Sequence, residues 1–307
     1  MARAHENDLP DLCRGTSFDL LKDNRPRLGL VGEECVLLWW DGARAYAVAA
    51  DCTHLGGPLA DGLVAEGKIH CPWHHACFDL RTGAAHAAPA FEPLKRYEVR
   101  FENDTFFVGQ SITSVPNPRV AARHHADPIV IVGGGAAGYA AAHAIRTSGW
   151  AGDISVFSAD RDAPYDRTLL TKDYLDGHFG DDRLPIAHRG LEELGVSLQL
   201  GINVDALDAH DHVLRLTGGG IQRFSKLLLA TGAEPHKPDF PGADLPHVKC
   251  LRSLEDCRQI ISAVKRASRV VVLGGSFISL EAAASIRSRG LTVDVISPER
   301  YPLSKIF

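Results

Sequence analysis

Up to about residue 110 the apolar residues arrive in short runs separated by turn residues, and no helical periodicity is sustained. Glu34 to Trp40, Ala45 to Ala49, Tyr97 to Glu102 and Thr105 to Val108 are rich in β-branched and aromatic side chains, which fit a pleated, half-buried surface. The pattern predicts an all-β domain over residues 1–110. From Gln110 to Asp127 the chain turns polar, with Pro116, Pro118 and a His124-His125 pair, so residues 111–127 read as a linker. The style then changes. Ile129 to Val132 is a continuous apolar strand, followed by Gly133-Gly134-Gly135-Ala136-Ala137-Gly138 and a small-residue helix to about Arg146. The same order returns at Val270 to Leu273, Gly274-Gly275-Ser276-Phe277 and a helix through Arg287. Two such strand–turn–helix units predict a doubly wound α/β fold over 128–250 and the start of a second over 251–307.

Length and composition agree with several folding units of ordinary soluble type: 307 residues, 45% apolar and 23% charged. No stretch offers the roughly 18 uncharged apolar residues needed to cross a bilayer. The polar start, Met1-Ala2-Arg3-Ala4-His5-Glu6, lacks the apolar core of a secretory signal, and a cytoplasmic setting is expected. A formal net charge of −5 without a basic run gives no footprint for nucleic acid or an anionic membrane. Seven cysteines, an odd number scattered along the chain, suit metal binding or burial better than disulfides.

Four residues carry the sharpest chemistry. Cys52-Thr53-His54 and Cys71-Pro72-Trp73-His74 form C-x-H and C-x-x-H pairs, each with one thiolate and one imidazole. In a 2Fe-2S cluster with two histidine ligands, one iron takes both sulfurs and the other both nitrogens, so each loop must deliver one ligand of each kind. Gly56-Gly57-Pro58 and Pro72 suit tight loops passing close to the bridging sulfides. A Cys2His2 zinc site draws on the same residue types, but zinc sites pair like with like, C-x(2–4)-C and H-x(3–5)-H. Cys77 and His75 are expected to pack or hydrogen-bond rather than ligate, and His70 and His86 to lie on the surface. The two segments resemble Rieske ferredoxins. They depart from the cytochrome-complex Rieske proteins, whose extra disulfide would fall at Gly57 and Trp73. The resemblance implies a potential of roughly −150 to +300 mV, against about −400 mV for all-cysteine plant-type clusters, and one that falls as alkaline pH removes imidazole protons.

Gly133, Gly135 and Gly138 satisfy G-x-G-x-x-G directly after an apolar strand, a pattern that seats a dinucleotide pyrophosphate at a helix amino end. Asp160, beyond the strand Asp153 to Phe157, stands where an acid accepts the ribose hydroxyls. Pro164-Tyr165-Asp166-Arg167-Thr168-Leu169-Leu170-Thr171-Lys172 resembles the P-Y-D-R-P-x-L-S-K signature of FAD-dependent ferredoxin reductases and apoptosis-inducing-factor-like proteins, with Thr168 for the proline and Thr171 for the serine. That resemblance places Arg167 and Lys172 against the flavin and makes Ala230-Thr231-Gly232 a second FAD contact. It also pairs Glu281, in Phe277-Ile278-Ser279-Leu280-Glu281, with Lys172 as a buried catalytic pair beside the hydride path.

The second glycine turn is weaker, because Ser276 and Ser279 replace the second and third glycines after Gly274. Ser279 is expected to loosen the packing of helix on strand. Glu299, past the strand Thr292 to Ile296, is placed to accept from a ribose 2′-hydroxyl and would repel a 2′-phosphate. NADH is therefore expected over NADPH, with Arg300 next door arguing the other way. The chain ends at Phe307, and the resemblance implies a longer protein, so weak flavin retention is expected.

The residues together predict an oxidoreductase carrying electrons from NAD(P)H through FAD to the cluster and on to an external protein or small acceptor. The alternative is a non-enzymatic electron carrier or redox sensor whose flavin half is a docking platform. Disulfide reductase chemistry is disfavoured, since no cysteine lies between Cys77 and Cys250, and Cys250 and Cys257 lack C-x-x-C spacing.

Overall fold

The computed structural model describes residues 9–112, 128–187 and 190–304. Most of the expected linker, 113–127, lies outside the described residues. The chain divides into two compact units, Met1–Arg119 and Val120–Phe307.

The first unit is all β. Its strands are β1 (Thr16–Ser17), β2 (Arg27–Val31), β3 (Glu34–Trp40), β4 (Ala45–Ala49), β5 (Leu63–Ala65), β6 (Lys68–His70), β7 (Cys77–Asp79), β8 (Ala85–Ala87), β9 (Arg96–Glu102) and β10 (Thr105–Ile112). They form an antiparallel sheet in the order β1-β10-β9-β4-β3-β2 and a smaller one in the order β5-β6-β7-β8. Ser111 and Ile112, read as linker, belong to β10. The strands β5 to β8 escape a sequence reading because three residues are too few to show alternation.

β3 explains how this unit holds together. Successive side chains of a strand point to opposite faces, so Val36 and Leu38 enter one core with Leu12, Leu21, Tyr97 and Phe106. Leu37 and Trp39 enter the other, with Val48, Leu59, Ile69 and Phe78. Both faces are covered, and each fully buried leucine contributes about 1.5–3 kcal/mol. Cys52 and Cys71 belong to the second of these cores, so the sulfurs are rooted in packed apolar structure and not in free loops.

The second unit is α/β. Strands β11 (Ile129–Val132), β12 (Ile154–Ser158), β13 (Ser197–Leu200) and β17 (Lys226–Leu229) form a parallel sheet in the order β13-β12-β11-β17. Helix α1 (Ala136–Thr147) makes the crossover from β11 to β12. A meander of β14 (Val204–Asp208), β15 (Val213–Leu216) and β16 (Ile221–Arg223) adds Leu214 and Phe224 to a core with Val130, Val132 and Phe157. The one-turn α2 (Asp173–Asp176) follows the flavin-side signature. After it come α3 (Leu254–Val264), β18 (Arg269–Leu273), α4 (Phe277–Ser288) and β19 (Thr292–Ile296), with β18 and β19 parallel. Helix α3 opens on a capping box: Ser253 accepts from the Asp256 amide, and Asp256 accepts from the Ser253 amide.

One core spans the signature segment and both later helices: Tyr165, Leu170, Tyr174 and Leu175 pack with Leu254, Cys257, Ala282 and Ile286. The signature segment thus shares a hydrophobic core with the second strand–turn–helix unit.

Candidate functional site

The two ligand loops are copies of one backbone design. In the first, the Cys52 amide donates to the Gly57 carbonyl at 2.9 Å and the Gly56 amide to the Cys52 carbonyl at 2.8 Å. In the second, the Cys71 amide donates to the Ala76 carbonyl at 2.8 Å and the His75 amide to the Cys71 carbonyl at 3.0 Å. The fifth residue of each loop has left-handed backbone, φ +70° at Gly56 and +63° at His75. Glycine takes this shape freely, whereas histidine does so at a cost. The Thr53 hydroxyl, donating to the Glu92 carbonyl at 2.7 Å, fixes the first loop to the chain before β9.

These loops sort the ligands by depth. Cys52 and Cys71 are buried and close enough for their thiols to hydrogen-bond. His54 is half-buried and His74 exposed, with their rings edge to face at 5.1 Å between centroids. Burial pushes the Cys52 thiol up to about 11, against the opposing pull of the His54 and Leu55 backbone amides that donate to it. A thiolate there requires a nearby metal cation.

Two buried sulfurs below two more exposed imidazoles suit a cluster with a sulfur-held iron inside and a nitrogen-held iron outside. Gly57 fits the same picture, since a Cβ there would stand 2.8 Å from Cys71 Sγ and 3.2 Å from the Trp73 ring.

The neighbouring residues divide. Cys77 is buried and its Sγ lies 3.8 Å from His70 Nε2, so it packs as expected, while His70 is half-buried and not a surface residue. Its position in β6, paired with Cys77 across the small sheet, draws it in. His86 is exposed. His75 is also exposed and serves the turn through its backbone.

In the second unit a cleft of about 1680 Å³ is lined by Gly133, Gly134, Gly135, Asp160, Arg167, Thr231 and Gly232, among others. Gly133 has φ +115°, and a Cβ on Gly138 would overlap the Gly133 carbonyl oxygen. Gly135 is the N-cap of α1, without a side-chain cap and with open space where a Cβ would project. The first amides of α1 are thus available to an anion, as a pyrophosphate requires. The cleft residues fit a dinucleotide.

Asp160 is held from two sides. Tyr165 donates to its Oδ2 at 2.8 Å, and Arg167 lies 3.5 Å from the same oxygen. The Tyr165 hydroxyl also accepts from the Leu254 amide at 2.9 Å, and burial pushes it up to about 12. Arg167 donates to the Arg252 carbonyl at 2.6 Å, and Arg252 donates from Nε to the Ala233 carbonyl at 2.9 Å. Contacts therefore run around the cleft wall from Asp160 to the Thr231-Gly232 turn. The sequence alone does not single out Arg252, and it gives Tyr165 only as part of the signature, without a role. A basic residue just before the capping box was the available signal for the first, and the tyrosine of the signature for the second.

Lys172 and Glu281 do pair, at 3.7 Å, but the pair is not buried: the side chains are 47% and 33% exposed. A lysine on a one-turn helix start reaches solvent too easily for burial. Neither residue lines the cleft.

The second glycine turn is better formed than its sequence suggests. Gly274 has φ +119°, and Ser279 Oγ occupies the space beside it that a side chain would fill. Helix α4 still buries Ala282, Ala283 and Ile286, so the expected loosening is not seen. Ser297, at the end of β19, donates to the Glu299 carboxylate, and a Cβ on Gly275 would lie 2.6 Å from its Oγ. The first turn repeats this arrangement, with Ser158 Oγ 2.7 Å from a Cβ on Gly134 and Asp160 two residues on.

Residues 12–98 match the family model of the Rieske [2Fe-2S] domain, and residues 127–306 match that of pyridine nucleotide-disulphide oxidoreductases. The chain is 29% identical over 282 residues to apoptosis-inducing factor 3 of Homo sapiens, covering 88% of this chain and 46% of that protein. It is 36% identical over 174 residues to the ferredoxin–NAD(+) reductase component of the anthranilate 1,2-dioxygenase system of Burkholderia cepacia, covering 56% and 43%. Among solved structures, the covalent putidaredoxin reductase–putidaredoxin complex aligns with a TM-score of 0.55 at 29% identity, over 60% of this chain and 45% of that one. The chain spans a little under half the length of these relatives. Among the described residues no helix is long and apolar enough to cross a membrane. The chain belongs to the pyridine nucleotide-disulphide oxidoreductase family and carries a Rieske [2Fe-2S] domain ahead of that module.

Proposed function

We propose that this chain moves electrons from NADH through FAD to a Rieske cluster and on to an external redox partner. The reading rests on one observation: a split ligand set of two inner sulfurs and two outer nitrogens shares a chain with a dinucleotide cleft. Flavin, when held in this cleft, would supply the link between a two-electron hydride donor and a one-electron cluster. The protein's own part is positional. Cys52 and Cys71 hold the inner iron, His54 and His74 the outer one, and the exposed His74 marks the face from which an acceptor takes the electron. Gly133, Gly135 and Gly138 with the α1 amides hold the pyrophosphate, Asp160 the ribose, and Arg167, Thr231 and Gly232 the flavin half, while Lys172, outside the cleft lining, is assigned to the flavin by the resembled signature alone.

Gly274 and Glu299 serve the nicotinamide nucleotide. Glu299 is turned toward the glycine turn through Ser297, whereas Arg300 is laid over the Tyr301 ring, 5.3 Å from its centroid. An acid facing the ribose and a cation turned aside favour NADH over NADPH. A cytoplasmic setting accords with seven cysteines free of disulfides.

Anaerobic addition of NADH to the FAD-supplemented chain is the test. The expected outcome is bleaching of the flavin absorbance together with the paramagnetic signal of a reduced histidine-ligated cluster, with NADPH slower. An intact cluster that NADH leaves oxidised, although dithionite reduces it, would favour the non-enzymatic carrier.

A further inference from the structure

One guanidinium ties the cleft wall near Asp160 to helix α3. Arg258, on α3, donates from Nη1 to both carboxylate oxygens of Asp162, at 2.9 and 3.0 Å, and from Nη2 to Asp181 Oδ2 at 2.6 Å. Asp181 also accepts from the Tyr174 hydroxyl at 2.7 Å. Arg258, Asp160 and Asp162 all line the cleft. The two bridged acids lie 96 and 77 positions from Arg258 along the chain.

The helix behind Arg258 is firmly seated. A capping box fixes its first turn, and Leu254, Cys257 and Val264 are buried in the core that also holds Tyr165 and Leu170. Asp162 stands instead in an irregular stretch between β12 and the flavin-side signature, with the exposed Arg161 and Ala163 on either side. That stretch matters because Asp162 holds Asp160: its amide donates to Asp160 Oδ1 at 3.3 Å, while Tyr165 donates to Oδ2. One oxygen of Asp160 is thus oriented by the signature and the other by the stretch that Arg258 anchors. A carboxylate offers about four acceptor sites, so capacity remains for a ribose. Without the guanidinium, Asp162 and Asp181 are like charges held close together, and their repulsion opens the stretch.

We propose that Arg258 is a positioning residue for the adenosine end of the dinucleotide: by pinning Asp162 to α3 it holds Asp160 in the orientation that accepts a ribose hydroxyl. The proposal rests on the reading that Asp160 serves the ribose. An acid ordered before the ligand arrives spares the cost of ordering it on binding, so the effect appears in affinity.

The test measures FAD affinity of the full chain by fluorescence titration, for the parent, Asp160→Asn, Arg258→Met, Asp162→Ala and each of the last two combined with Asp160→Asn. Methionine keeps the aliphatic stem of Arg258 and removes its charge. Asp162→Ala cuts the same tie from the other side and stands in if Arg258→Met does not fold. Both should weaken FAD binding several-fold alone and add little in the Asp160→Asn background. A guanidinium that touched the ligand, or only supported the fold, would show its full loss in that background as well. That result, or an unchanged affinity in both variants where Asp160→Asn weakens binding, overturns the proposal. If Asp160→Asn binds FAD as the parent does, the ribose assignment fails and takes the proposal with it. Where the parent binds too weakly to titrate, amide hydrogen exchange of the ligand-free chain decides. Residues 159–163 should exchange several-fold faster in Arg258→Met with β11 unchanged, and equal exchange in the two proteins overturns the proposal.

Discussion

Each unit of this chain builds its site from a repeated local design, but the two repeats are kept to different tolerances. The ligand loops match hydrogen bond for hydrogen bond, down to the left-handed fifth residue. The glycine turns share φ values of +115° and +119° and a serine against Gly134 or Gly275, yet differ at the second and third motif glycines, where the later turn has Ser276 and Ser279. The difference follows from what each repeat holds. Metal bonds fix side-chain atoms to within tenths of an ångström, so the backbone behind them has little freedom. A nucleotide is held by backbone amides and shape, and a serine is accommodated where a neighbouring glycine leaves room.

Predictions follow from breaking one copy of each repeat. The largest effect is expected for Cys71→Ser, which removes one of two inner sulfurs; iron and labile sulfide in the purified chain should fall to near zero, with Cys52→Ser equal to it. Gly138→Val should cost about 3 kcal/mol or more through overlap with the Gly133 carbonyl and abolish FAD binding, as measured by denaturant unfolding and flavin fluorescence.

A pH test probes buried groups of the nucleotide unit. Cys257, whose thiol donates to the Leu170 carbonyl, is pushed up by burial to about 11 from an ordinary value of 9.0, and Tyr165 to about 12. Both groups hold their protons more tightly folded than unfolded. Their stabilisation is therefore complete below about pH 9 and lost as pH rises through 9 to 12, by up to about 2–3 kcal/mol each. Urea titrations of the nucleotide unit between pH 8 and 11 should show that decline, and Cys257→Ala should remove its lower part. The smallest effect is expected for His75→Gly, which matches the second loop to the first and should stabilise it by about 0.5–1 kcal/mol, read as a higher midpoint in thermal unfolding.

The metal ligands and the first glycine turn are legible in the sequence because their chemistry demands residue types at short spacing: Cys52 and His54, Cys71 and His74, Gly133 through Gly138. The strands β3 and β4 are legible for the same local reason, since alternation and β-branching need only a few neighbours. What escapes is long-range. Tyr165 meets Leu254, Arg167 meets Arg252 and Thr171 meets Glu281, and no local pattern records a bond between residues 85 to 110 positions apart. Burial escapes too: the Lys172–Glu281 pair forms, but its exposure is set by α2 ending at Asp176 after a single turn. Ser279 shows the reverse error, in which a departure from a motif predicts looseness that the space beside Gly274 absorbs.

Metal and sulfide analysis of the anaerobically purified chain tests the central claim most directly. Two mixed cysteine–histidine pairs holding a 2Fe-2S cluster predict two irons and two acid-labile sulfides per chain, with little zinc. One zinc per chain without labile sulfide would contradict the account.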